Sequence, residues 1–182
     1  MNNAFIVLVG ESGSGKTTIA NILENKYWLK QVQSYTERPK RYDEETGHTF
    51  VTPIEFDQLK DIVAYTCYNR YRYCTTKNQI EQCDMAVIDV PGVMDIRRFY
   101  KGDKRICVFY INVSEKRRFW RMLKRGDSAK SAIGRIRYDR IAFQNAKYVC
   151  DFTIKNRNAE DAADLIMKMI EDSDYEKDGN SM

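Results

Sequence analysis

The chain has 182 residues, 43% of them hydrophobic and 31% charged, with a formal net charge of +4. That is enough chain for one well-buried core with small excursions from it, and the mildly basic balance suits phosphorylated small molecules as well as nucleic acid. Five scattered cysteines without C-x-x-C spacing and a single histidine exclude a disulfide framework or a zinc site as the organising feature.

Met1-Asn2-Asn3-Ala4 has no basic leader character, and no apolar run is long enough to span a membrane. The expectation is a cytoplasmic protein with reduced thiols and no membrane partner. Phe5 to Val9 is short, apolar and β-branched, which predicts a buried strand. Directly after it, Gly10-Glu11-Ser12-Gly13-Ser14-Gly15-Lys16-Thr17 fits G-x-x-x-x-G-K-[ST], and Thr18 to Tyr27 carries Ile19, Ile22 and Leu23 at helical spacing. A chance glycine turn would not need that strand-loop-helix order. Glycines let successive backbone N–H groups turn toward phosphate oxygens, and the helix N-terminus adds positive potential. Lys16 supplies a charge, and the Thr17 hydroxyl can ligate magnesium. Gly10, Ser12, Gly13, Ser14, Gly15, Lys16, Thr17 and Thr18 are therefore the candidate ATP-binding residues.

Ser34-Tyr35-Thr36-Glu37-Arg38-Pro39-Lys40-Arg41 follows. Arg38 and Arg41 can form planar forks toward a phosphate, with Pro39 stiffening the turn; a solvated charged loop accounts for the same pattern. Residues 35–84 hold two of the three prolines, the strand-like Thr49-Phe50-Val51, a predicted helix from Pro53 to Lys60 and the tyrosine-rich run Tyr65 to Tyr73. They read as a small inserted subdomain, and the tyrosines as a twisted strand pair more than a stacking surface for nucleobases.

Strands are predicted again at Met85 to Ile88, leading into Asp89, at Ile106 to Val113 and at Phe152 to Ile154, with helical patterns between them. This is the alternation of a parallel α/β sheet with helices on both faces. Asp89, at a strand end beside the glycine loop, suits a magnesium-linked role through water or a substrate-positioning role, against that of a turn aspartate. A helix from Ser114 is predicted to bury Phe119, Trp120 and Leu123, and to stop near Gly126. Residues 125–140, with Arg125, Lys130, Arg135, Arg137 and Arg140, read as a mobile cationic flap, and residues 172–182 as a frayed polar tail. Asp89-Val90-Pro91-Gly92 also fits the D-x-x-G of a GTPase switch, but no N-K-x-D follows it.

From the first strand to about Ile170 the sequence resembles the guanylate kinase family. The resemblance rests on the phosphate loop and on Ser34, Thr36, Arg38, Arg41 and Glu44. It continues through Gly47-His48-Thr49-Phe50-Val51, Tyr73-Cys74-Thr75, Ile88-Asp89-Val90-Pro91-Gly92, Arg125-Gly126 and Arg135, in that order. It implies a P-loop NTPase fold in one domain over residues 1–171. The core would be 1–34, 85–124 and 141–171, the nucleoside-monophosphate-binding insertion 35–84, and the arginine-rich lid 125–140. It implies phosphoryl transfer from ATP to GMP with Mg²⁺, in a monomer or homodimer with no nucleic-acid partner. Arg38, Arg41 and Tyr73 would hold the acceptor phosphate, and Ser34 and Thr75 would meet the guanine edge. Lys16, Arg38, Arg125 and Arg135 would be catalytic, and Glu44, His48 and Asp89 would complete the GMP site. The chain departs from the family pattern at His48, where a tyrosine is usual, at Val87 and Cys74, and at or near Ala64, where a glutamate would read guanine. A site that reads N–H groups needs an acceptor. A kinase of a ribose bisphosphate and a silent interaction module of the same fold are the alternatives.

Overall fold

The computed structural model describes residues 3–40, 42–68 and 70–178. The chain runs β1 (Ala4–Val9), α1 (Lys16–Tyr27), β2 (Tyr35–Thr36), β3 (Thr49–Phe50), α2 (Pro53–Asp57), β4 (Ile62–Tyr68), β5 (Tyr71–Thr76) and α3 (Lys77–Gln82). It continues β6 (Met85–Val87), α4 (Val90–Phe99), β7 (Arg105–Asn112), α5 (Glu115–Lys124), α6 (Ala129–Ala142), α7 (Ala146–Val149), β8 (Phe152–Lys155) and α8 (Ala159–Asp178).

Every residue of β1 is buried, as a central parallel strand covered on both faces requires. It pairs in parallel with β6 on one side and β7 on the other, and β8 joins β7, giving the order β6-β1-β7-β8. Successive side chains of β1 serve opposite faces. Phe5, Val7 and Val9 pack with Val93 and Ile96 of α4 and Ala146 of α7. Ile6 and Leu8 pack with Ile19 and Leu23 of α1 and Ala163 and Ile166 of α8. The expected α/β sheet with helices on both faces is therefore present. Among the described residues, no helix is long and apolar enough to cross a membrane.

The insertion carries its own sheet, ordered β3-β2-β5-β4, with β2 and β3 parallel and the other pairs antiparallel. The tyrosine-rich run is the β4–β5 pair. Its register shifts between Ile62 and Ala64, a bulge of the kind that re-aims side chains at a site.

Three local expectations change. The helix from Pro53 starts on a Thr52–Glu55 capping box but ends at Asp57, short of Lys60, before a turn in which Asp61 has φ 53°. On α5 the buried residues are Arg118 and Met122, while Trp120 is 60% exposed; the arginine has buried partners that the apolar pattern could not reveal. The last helix runs to Asp178, into the segment expected to fray, because a helix already nucleated extends through acidic and basic residues without an apolar stripe.

Candidate active site

The loop between β1 and α1 turns on two left-handed glycines, Gly13 at φ 76° and Gly15 at φ 93°. Side chains there would also collide: a Cβ on Gly13 would lie 2.9 Å from the Arg118 carbonyl oxygen, and one on Gly15 2.6 Å from Asn156 Nδ2. The surroundings therefore grip the loop closely. Asn156 Nδ2 and Arg121 Nη1 donate to the Ser14 carbonyl at 2.7 and 3.1 Å, and the Ser12 N–H donates to Asp139 Oδ2 at 2.8 Å. Tyr110 donates its hydroxyl proton to Glu11 Oε1 at 2.7 Å. Lys16 Nζ donates to the carbonyls of Gly10 and Glu11. Burial pushes the Lys16 ammonium down to about 8, with Asp139 and Glu11 opposing the shift.

Over this loop lies a cavity of about 730 Å³ lined by Ser12, Gly13, Gly15, Lys16, Thr17 and Thr18, with Arg121, Arg125, Arg135 and Asn156 opposite them. The structure thus brings together the loop residues expected to meet ATP and both expected lid arginines. Gly10 and Ser14 are the exceptions. Their carbonyls hold Lys16, and Asn156 and Arg121, and neither residue lines the cavity.

A second cavity of about 400 Å³ is lined by Ser34, His48, Tyr73, Thr75 and Asp89, together with Ala64, Cys74 and Val87. Ser34 Oγ and His48 Nδ1 are 3.2 Å apart, and the His48 and Tyr73 rings lie 5.4 Å apart. Asp89 Oδ1 accepts the Gly92 N–H at 2.9 Å and so caps α4. The turn role weighed for it is present, and the residue borders the cavity as well. Tyr138 of α6 completes the wall. Asp89 is the only acidic residue of this lining.

Two expected acceptor residues fall elsewhere. Arg38 is buried and does not line the cavity; its Nη1 and Nη2 donate to Glu45 at 3.1 and 2.8 Å. Glu45 raises the Arg38 pKa, burial opposes this, and the neighbouring Tyr73 adds to the rise. Glu44 is exposed and outside the lining; it is the next residue, Glu45, that turns inward to a partner. Arg41 lies outside the described residues.

Sequence reasoning missed Glu45, Arg118, Arg121, Asp139, Asn156 and Tyr138. None belongs to a short motif; only the tertiary fold brings Glu45 to Arg38 and the others to the loop or the cavities. Among the described residues, no group of three or more His, Cys, Asp or Glu could hold a metal ion. The hard oxygen available beside Lys16 is the Thr17 hydroxyl, which suits magnesium held chiefly by phosphates and water.

The family model described as guanylate kinase matches residues 2–173. No curated protein sequence matches the chain. Among solved structures, the guanylate kinase from Anaplasma phagocytophilum aligns with TM-score 0.59 and 20% identity, covering 93% of this chain and 85% of that one. An uncharacterized protein from Eubacterium ventriosum aligns with TM-score 0.54 and 14% identity, covering 92% and 98%.

Proposed function

Because the chain belongs to the guanylate kinase family, we propose that it moves the γ-phosphoryl group of ATP onto GMP with magnesium. The observation that carries this reading is the pair of cavities, a cationic one over the phosphate loop and a hydroxyl-lined one where the insertion faces the β6–α4 junction, both bordered by α6.

Phosphoryl transfer spreads negative charge over the moving group, so it needs in-line placement and fixed cations more than a strong base. Lys16 and the loop amides would hold the donor phosphates, and Arg125 and Arg135 would meet the charge that develops. Thr17, with Asp89 acting through water, would hold the magnesium ion, which would supply positive charge to offset that of the phosphates. Tyr73 and His48 would hold the acceptor phosphate, with Ser34 and Thr75 at the base edge. Arg38 would join them only by exchanging Glu45 for the phosphate, and Arg41 is proposed to bind the same phosphate.

One observation favours a broader acceptor range: Ala64 and Val87, at or near positions where the family pattern carries acidic residues, line the cavity and would offer no carboxylate to the N–H groups of a guanine. Another nucleoside monophosphate, or a ribose 1,5-bisphosphate-like acceptor, is the second reading. A silent interaction module is disfavoured by the open cavity at Lys16 and Thr17. Titration calorimetry with a non-hydrolysable magnesium-ATP analogue and then GMP tests the two-site reading. One equivalent of each, bound together, is expected; mutual displacement would defeat it.

A further inference from the structure

Two buried charges have no part in the roles above. Arg118 on α5 and Asp139 on α6 are 2% and 3% exposed, with Arg118 Nη1 and Asp139 Oδ2 3.0 Å apart. A carboxylate buried to that extent costs several kcal/mol unless it is paired and hydrogen-bonded. Both conditions are met at one residue of the phosphate loop. The Ser12 N–H donates to Asp139 Oδ2 at 2.8 Å, and Arg118 Nη1 donates to the Ser12 carbonyl at 3.3 Å. The pair therefore grips the amide and the carbonyl of Ser12 together.

The position of Asp139 on its helix gives this grip a consequence. Four residues earlier, on the same face of α6, Arg135 lines the cavity that holds Lys16, and the adjacent Tyr138 lines the second cavity. The bond to Ser12 thus joins α6 to the loop close to both side chains that it contributes. We propose that Asp139 is a positioning residue: with Arg118 it fixes α6 on the phosphate loop at Ser12 and so holds Arg135 in the donor cavity. This rests on reading that cavity as the triphosphate site.

The test separates anchoring from mere stability. A buried ion pair replaced by apolar side chains of similar size commonly keeps or gains stability, so Arg118→Leu/Asp139→Leu should fold with a melting temperature close to wild type. Its affinity for a non-hydrolysable magnesium-ATP analogue, measured by calorimetry without acceptor, should fall about tenfold. Arg135→Ala should weaken the analogue in the wild-type background and add less than about twofold in the double variant, because coupled residues are not additive. Asp139→Asn, which retains an acceptor for the Ser12 N–H, should recover most of the affinity. An affinity within about twofold of wild type in the apolar variant, or an Arg135→Ala effect of equal size in both backgrounds, overturns the proposal. Should that pair fail to fold, the same cycle with Arg118→Met/Asp139→Ala, which also removes both charges, decides by the same criterion. A wild-type protein that does not bind the analogue removes the donor-site reading and this proposal together, whereas binding with additive effects removes only the proposal.

Discussion

The two cavities are built in opposite ways. The proposed donor side is one contiguous loop whose shape comes from its own glycines, and α5, α6 and the segment after β8 clasp it through Arg118, Arg121, Asp139 and Asn156. The proposed acceptor side gathers residues from β4, β5, α6, the segments just before β2 and β3, and the β6–α4 junction, and one arginine expected there is already bound to Glu45. A site made by a local motif keeps its chemistry wherever the motif sits correctly between strand and helix. A site made by convergence changes when any contributing strand shifts register, as β4 does near Ala64.

The largest effect should fall on the donor side. Lys16→Ala removes the one lysine that lines the loop cavity among the described residues and should lower kcat by about a hundredfold to a thousandfold in an ADP-release assay; unchanged turnover would break the partition of roles. On the acceptor side, Arg38→Ala leaves Glu45 buried without that partner and should destabilise the fold by about 3–5 kcal/mol in urea titration. Arg38→Ala/Glu45→Ala should restore most of that loss. Affinity for ATP should stay unchanged in both, which sharpens the contrast between the cavities. Thr75→Val, isosteric and lacking only the hydroxyl, should raise the acceptor KM about tenfold and leave the KM for ATP alone.

The smallest effect is one of pH. Burial lowers Lys16 from 10.5 to about 8, so the folded empty protein holds this proton less tightly than the unfolded chain does. Between those two pH values the unfolded state binds more protons, and the Lys16 contribution to unfolding free energy rises with pH. Binding of ATP needs the charge and should move the other way. With ATP varied, kcat/KM should fall above about pH 8, while kcat at saturating ATP holds to higher pH because bound phosphates retain the proton. A flat kcat/KM profile from pH 7 to 9.5 would count against Lys16 as the donor-site cation.

The difference between the cavities also explains what the sequence could reveal. The sheet was legible because β1 and β7 are continuous apolar runs and their loop carries a spaced motif. The loop residues lining the donor cavity were legible for the same reason, and Ser34, His48, Tyr73, Thr75 and Asp89 through the order of short motifs. Arg118 and Asp139 were not, since a charged residue on a helix reads as solvated until a partner 21 residues away is known to be buried beside it. Glu45 was missed in favour of Glu44 because adjacent carboxylates in an irregular loop follow no period that tells inside from outside.

The hydroxyl-lined cavity is proposed to take a nucleoside monophosphate, GMP above all, opposite magnesium-ATP. The most direct measurement is the initial rate of ADP release with GMP, dGMP, AMP, UMP, CMP and ribose 1,5-bisphosphate each offered alone. The highest kcat/KM is expected with GMP, and a narrower margin over other bases than a carboxylate at Ala64 would give. Turnover confined to ribose 1,5-bisphosphate, or none with any acceptor despite tight ATP binding, would contradict it.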